Sequence, residues 1–435
     1  MIYDEVLRSM APTVSYKMRL FFIKLLLYIC IICLVLNPYT IYGRPGIVIS
    51  VLLTIYALKT GAYKVDLREN SILFGLMLLI GLLGALVSFI NGIGQLSHPQ
   101  VVLSLVIVWL SAQALCKLCI RYGIVFDEFA LMILQVILLN NILILLEVNF
   151  PVVRDFVENF LVPAGNIDWT EGFRYRGISA SGGAGLSLLL PISTTITLYL
   201  YDQRKLGLLP SVLFVLISLL ATLVIGRTGL LLFFFVFAAY LILIMRESLR
   251  RPLILVNSSV LFLLGTSVAF FYYDYLVSYL KAAFGEDFIW YSFGFLLQGS
   301  EGIKSEGTVG IIAQFLTVLP TEFPEILTGY GFYGGSDFSP WSDSGYSRMF
   351  LSVGWPLGFL FYFCIFRLFF KNYRINFFLI ATMGFFLLVA ETKEPLLFSG
   401  NASRVFVLIV TFLSMRRVAE QSAMYTVITP NMHKQ

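Results

Sequence analysis

Long apolar runs separated by short polar connections make up almost the whole chain. A bilayer core is crossed by about 20 apolar residues in a helix. Runs that meet or approach this length lie at about 20–36, 41–58, 72–90, 101–120, 129–150, 183–201, 209–225, 229–245, 253–273, 348–366, 377–391 and 404–415. The pattern predicts an all-α fold, a polytopic membrane helical bundle of about twelve transmembrane helices. It forms a single integral membrane domain over 1–435, in which the last two helices are short. Residues 20–36 resemble a signal-peptide core, but only NPYTIYGRPG follows, with no small-residue cleavage site. This run is therefore read as a retained first helix.

Most connections are short, as between antiparallel neighbours. Two are long, at 151–182 and 274–347. The second holds three apolar stretches, YDYLVSYLKAAF (273–284), DFIWYSFGFLL (287–297) and TVGIIAQFLTVLP (308–320), each too short to cross. Stretches of that length read as interfacial or re-entrant helices.

Composition strengthens this picture. The chain is 59% apolar and 13% charged, against roughly 45–50% and 25% for a soluble domain. Soluble, disordered, coiled-coil and nucleic-acid-binding classes are excluded. The five cysteines lie in or beside apolar runs, so neither a disulfide framework nor a metal site is expected from them.

Charge sets the orientation. With the N-terminus in the cytoplasm and spans alternating, the cytoplasmic connections carry a net +11 and the external ones −6, which together make the chain's +5. The positive-inside tendency is satisfied with both termini cytoplasmic.

Seven arginines nevertheless fall outside: Arg44, Arg154, Arg174, Arg176, Arg227, Arg348 and Arg404. Arg44 and Arg154 stand near span ends, where loop solvation or snorkelling accounts for them. Arg227, in LATLVIGRTGLLLFFF, has almost no loop to carry it into water, and an ionisable residue at that depth points to function. Arg174 and Arg176 precede a Gly/Ser-rich helix start, where free N–H groups and guanidinium forks both suit phosphate. Asp343, in SPWSDSGYSRMFLSVGWPLGFLFY, is either a helix N-cap or a carboxylate available for chemistry. Tyr346 and Arg348 follow it, and Glu391, Lys393 and Glu394 crowd the last external turn. Trp169, Trp290, Tyr291, Tyr330, Tyr333 and Trp341, in the long connections, are candidates for stacking on sugar rings or for an aromatic belt.

The stretches FRYRGISASGGAGLSL, GRTGLLLF and DSGYSRMFLSVGWPLGFLFY, in this order in a twelve-span bundle, resemble the Wzy-type O-antigen and capsule polymerases of the O-antigen ligase/polymerase superfamily. Arg174 with Gly185 also fits an R-x10-G pattern of that group; no second copy starts at Arg348 or Arg404. The resemblance implies a GT-C-like glycosyltransferase in the bacterial inner membrane, with no cofactor or metal and an active site facing the periplasm. It implies transfer of a polysaccharide from undecaprenyl pyrophosphate to the non-reducing end of another lipid-linked repeat unit. Such enzymes can work with a chain-length regulator protein.

In that frame Arg174, Arg176, Arg227, Arg348 and Arg404 would receive the pyrophosphate charge. Asp343, or failing that Glu391, would be the general base, and Tyr346, Trp341 and Lys393 would touch substrate. Two other functions compete. An O-antigen ligase would carry a histidine in its large external loop, whereas the two here are His98, in a short connection, and His433. A flippase or transporter of lipid-linked sugars would place ionisable groups and broken helices near the midplane.

Overall fold

The computed structural model describes residues 14–62, 67–161, 175–180, 183–248, 278, 282, 318–333, 342, 344–371, 375–393 and 395–428. The span expected at 253–273 and most of the 274–347 connection lie outside the described residues. So do Trp169, Arg174, Trp341, Asp343 and Glu394.

Among the described residues the fold is helical, with only two isolated β-bridges, both made by Thr40. The helices are α1 (Val14–Val35), α2 (Pro45–Thr60), α3 (Leu67–Ile90), α4 (Ser97–Arg121), α5 (Phe126–Asn149), α6 (Pro151–Phe160), α7 (Gly183–Ser187), α8 (Leu189–Asp202), α9 (Leu208–Ile225) and α10 (Arg227–Ser248). They continue with α11 (Glu325–Thr328), α12 (Gly345–Phe370), α13 (Phe377–Ala390), α14 (Leu396–Ser399) and α15 (Asn401–Ile428). Six of them are long and apolar enough to cross a membrane, and three shorter apolar helices accompany them.

Local signals set several boundaries. Pro45 opens α2, where its missing N–H costs nothing, and Gly61 closes it in the left-handed conformation (φ 64°). Asn376 caps α13 by accepting from Leu379 N–H at 3.1 Å. The cap of α12 is Ser344, whose side chain accepts from Ser347 N–H, so the capping role open to Asp343 belongs to its neighbour. The final helix is much longer than the short run at 404–415, because apolarity ends well before helical backbone does.

The helix surfaces have their polarity inverted relative to a soluble protein. Phe21, Phe22, Leu25, Leu26 and Ile29 of α1 are exposed, as are Ile47, Val48, Val51, Leu52 and Ile55 of α2. Asn140, Asn141, Ser193, Thr194, Thr195 and Ser218 are buried between helices. Continuous apolar faces of this extent are untenable in water, and buried hydroxyls and amides joining helices are what a hydrocarbon solvent favours. Asn141 donates to Ser218 Oγ at 3.0 Å and ties α5 to α9. At the centre α15 packs on α4, and its residues Val405–Met415 are all buried.

Two proline breaks interrupt the bundle. Pro191 of α8 has no N–H for the carbonyl of Ser187, so the run read as one span at 183–201 divides into α7 and α8. Gly229 of α10 packs at that carbonyl, where a Cβ would stand 2.0 Å from Ser187 O, and its N–H donates to Ser187 Oγ at 3.1 Å. In α12, Pro356 cannot donate to Ser352 O, and Gly354 leaves helical geometry (φ 76°, ψ 178°). The stranded carbonyls of Leu351 and Ser352 accept from Tyr330 N–H (2.6 Å) and Gly331 N–H (3.1 Å). Residues 329–333 thus form a strap laid across the broken helix.

Candidate functional site

The starts of α4, α7, α10, α12 and α15 meet the ends of α1, α3 and α13 at one end of the bundle. Ala180 N–H donates to Leu36 O, and Asn401 donates to Ser179 Oγ at 2.7 Å. Lys393 donates to Thr228 Oγ1 at 3.0 Å. Asn91 donates to Tyr330 O at 2.9 Å. These bonds draw together segments that the chain separates by hundreds of residues.

Glu391 is the hub. It follows α13, is fully buried, and each of its oxygens has a partner. Its backbone carbonyl accepts from Gly345 N–H at 2.9 Å. Its Oε1 accepts from Tyr362 OH at 3.1 Å and its Oε2 from Leu397 N–H at 3.0 Å. Only glycine fits at 345, where a Cβ would lie 2.1 Å from Glu391 Oε1. Tyr346, in the next position, packs its ring against Tyr362 (centroids 4.6 Å apart, planes tilted by 47°) and donates its hydroxyl to Leu388 O at 2.9 Å. Arg348 is one turn into α12, with Nε donating to Ser342 O at 2.8 Å, and it lies within electrostatic reach of Glu391.

The other arginines approach from two sides. Arg404, in the first turn of α15, donates from Nη1 to Leu34 O at 3.2 Å, while its buried Nε has no hydrogen-bond partner among the described residues. Arg176 is buried in the connection before α7 and donates from Nη2 to Leu161 O at 3.1 Å. Desolvation lowers its pKa from the ordinary guanidinium value, and the nearby Glu147 opposes the shift. The segment 175–180 is not the solvated Gly/Ser loop its composition suggests: it runs along the inside of α5. Glu147 lies against its N–H groups at 176 and 177, and Asn140 accepts from Ile178 N–H at 2.9 Å. Arg227 begins α10, and its neighbour Thr228 is the partner of Lys393.

Of the residues singled out in the sequence, Glu391, Lys393, Tyr346, Arg348, Arg404, Arg176 and the backbone of Arg227 are therefore gathered at one end. Arg174, Asp343 and Trp341 lie outside the described residues. Sequence reading passed over Tyr362 and Glu147. An acid inside the run 129–150 is a signal that could have drawn notice to Glu147; nothing in sequence marks one tyrosine of 23. His98 is not in a loop but in the first turn of α4, buried against Tyr333 at the end of the large connection.

What the arrangement offers chemically is a fixed carboxyl group beside the phenol of Tyr362 and within electrostatic reach of Arg348, with further cations at the same end of the bundle. No protein-family model, no curated protein sequence and no solved structure matches this chain.

Proposed function

We propose that this chain is a polysaccharide polymerase of the O-antigen type, a membrane glycosyltransferase that moves a lipid-pyrophosphate-linked chain onto the non-reducing end of another lipid-linked repeat unit. The observation that carries this reading is the convergence of Arg348, Lys393 and the Arg227 segment, from three separate connections, on the end of the bundle that holds Glu391. Arg176 and Arg404 stand at the same end. Breaking the bond from anomeric carbon to pyrophosphate oxygen leaves its electron pair, and negative charge, on the phosphate. Preorganised guanidinium and ammonium groups stabilise that charge as it develops. The acceptor hydroxyl oxygen forms the new bond and passes its proton to a carboxylate, Glu391 or Asp343.

In this reading the site faces the periplasm of a bacterial inner membrane, with both termini cytoplasmic. The charge asymmetry of the connections supports that orientation. A GT-C-like organisation and association with a chain-length regulator belong to the same proposal. The test is direct. Purified protein in nanodiscs is incubated with undecaprenyl-pyrophosphate-linked repeat units, without metal or nucleotide sugar, and the products are run on a gel. A ladder of lengthening chains is expected; unchanged single units would overturn the reading.

A second reading, a flippase of lipid-linked sugars, draws on the two broken helices, since transporters bind at such breaks. Appearance of the lipid-linked unit in the opposite leaflet of a proteoliposome, with no growth in chain length, would favour it.

A further inference from the structure

His98 and Tyr333, stacked ring on ring, each carry an unanswered polar atom. His98 is 2% exposed and Tyr333 4%. Their rings stack at 5.1 Å with 23° between planes, and Phe361 closes the edge of the imidazole at 5.7 Å. His98 Nδ1 is paired with Ser352 Oγ at 2.9 Å, in the turn of α12 that the strap covers. Among the described residues its buried Nε2 meets no hydrogen-bond partner, and neither does the buried Tyr333 hydroxyl. A buried polar group left unpaired is costly, so two on stacked residues indicate that something completes them.

The chemistry of the missing group follows from theirs. Imidazole Nε2 accepts if Nδ1 carries the proton and donates if it does not, and a phenol does both. A hydroxyl group matches every combination, whereas an anion or a cation matches only some. The pair also adjoins the site. Tyr333 lies within electrostatic reach of both Glu391 and Arg348, and Tyr362, which donates to Glu391, neighbours it.

We propose that His98 and Tyr333 form a hydroxyl-binding pair that positions the acceptor sugar beside Glu391. The inference deepens the polymerase reading and rests on it. His98 and Tyr333 act as positioning residues for a neutral, hydroxylated ring, distinct from the cationic groups that meet the pyrophosphate.

Tyr333→Phe separates this role from a structural one by the direction of its effects. The ring stack survives and only the unpaired hydroxyl goes, so a purely structural role predicts equal or greater thermal stability and unaltered chain growth. The positioning role predicts unaltered or greater stability together with a rise of about tenfold in the repeat-unit concentration giving half-maximal growth, the equivalent of one lost hydrogen bond. The substrate is the single-unit lipid extracted from the native host deleted for this chain. His98→Gln, whose amide reaches the Nε2 position, should retain more of the wild-type half-saturation than His98→Asn, whose amide reaches only Nδ1. Wild-type protein that extends chains while Tyr333→Phe matches it at every concentration overturns the inference and leaves the polymerase reading standing. Wild-type protein that extends nothing overturns both.

Discussion

At Glu391 the carboxyl group ties the start of α12 to α14 and also stands among the groups that could receive a proton, and substitution can separate the two roles. Glu391→Gln keeps an oxygen for one of its two side-chain donors. It should melt within a few degrees of wild type yet lose ~10²–10⁴-fold in chain growth if the carboxylate is the base. Asp343→Asn, made in parallel, transfers the role to Asp343 if it alone fails. Gly345→Ala tests the tie instead. Its Cβ would stand 2.1 Å from Glu391 Oε1, so the variant should lose about 1–3 kcal/mol of stability, seen as a lower melting temperature in detergent. For Arg348→Lys the charge is retained but the Nε–H that reaches Ser342 O is lost. Polymer ladders should shorten or vanish, because an ammonium does not reproduce the planar guanidinium fork. Ladders of wild-type length from a normally expressed protein would show that charge alone suffices there.

The two helix breaks share one device at the scale of elements. A proline strands a carbonyl four residues earlier, and a glycine from elsewhere in the chain comes close enough to occupy the gap. Gly229 meets Ser187 O, and Gly331 donates to Ser352 O. Gly331 is the more constrained, with φ at 83° and a Cβ position 2.2 Å from Ser88 N. Gly229→Ala and Gly331→Ala should therefore each lower the melting temperature clearly. Gly75→Ala should raise it slightly, by about 0.5–1 kcal/mol of helix propensity, since nothing lies within 4 Å of a Cβ there. Equal effects at all three positions would mean that general glycine-to-alanine behaviour, not close approach, governs them. The strap also explains why the chain spends a Gly-Tyr-Gly sequence before α12: both glycines have positive φ, Gly329 N–H donates to Glu325 O, Gly331 N–H donates to Ser352 O, and Tyr330 O between them accepts from Asn91.

For the molecule as a whole, orientation is open to chemical labelling because every native cysteine is free and buried. A cysteine at Glu158, on the exposed side of α6, should react with a membrane-impermeant maleimide added to intact cells from outside. One at Gln203, beyond α8, should react only after the membrane is opened. The reverse pattern would invert the bundle and move the arginine-rich end to the cytoplasm. A cysteine at Ser179 is an unsuitable probe, although it falls in a long connection, because Ser179 is fully buried and bonded to Asn401.

Apolar run length alone determined that this chain is a helical bundle, and it placed most helices to within a few residues, since a hydrocarbon solvent demands long apolar helices and little else. The arginines, Glu391 and Lys393 were also legible, because charge is rare enough in this composition to be conspicuous. What only the tertiary structure decided is which of these residues meet. Segments 176–180, 227–229, 330–333, 342–352 and 391–404 are joined by individual hydrogen bonds across the bundle, and linear spacing carries no information about such pairings. Tyr362 became visible only there, and His98, set aside in the sequence as a residue of a short connection, found its partners only there. Their meaning lies in what each is buried against, a carboxyl oxygen for one and an aromatic ring with an unanswered nitrogen for the other.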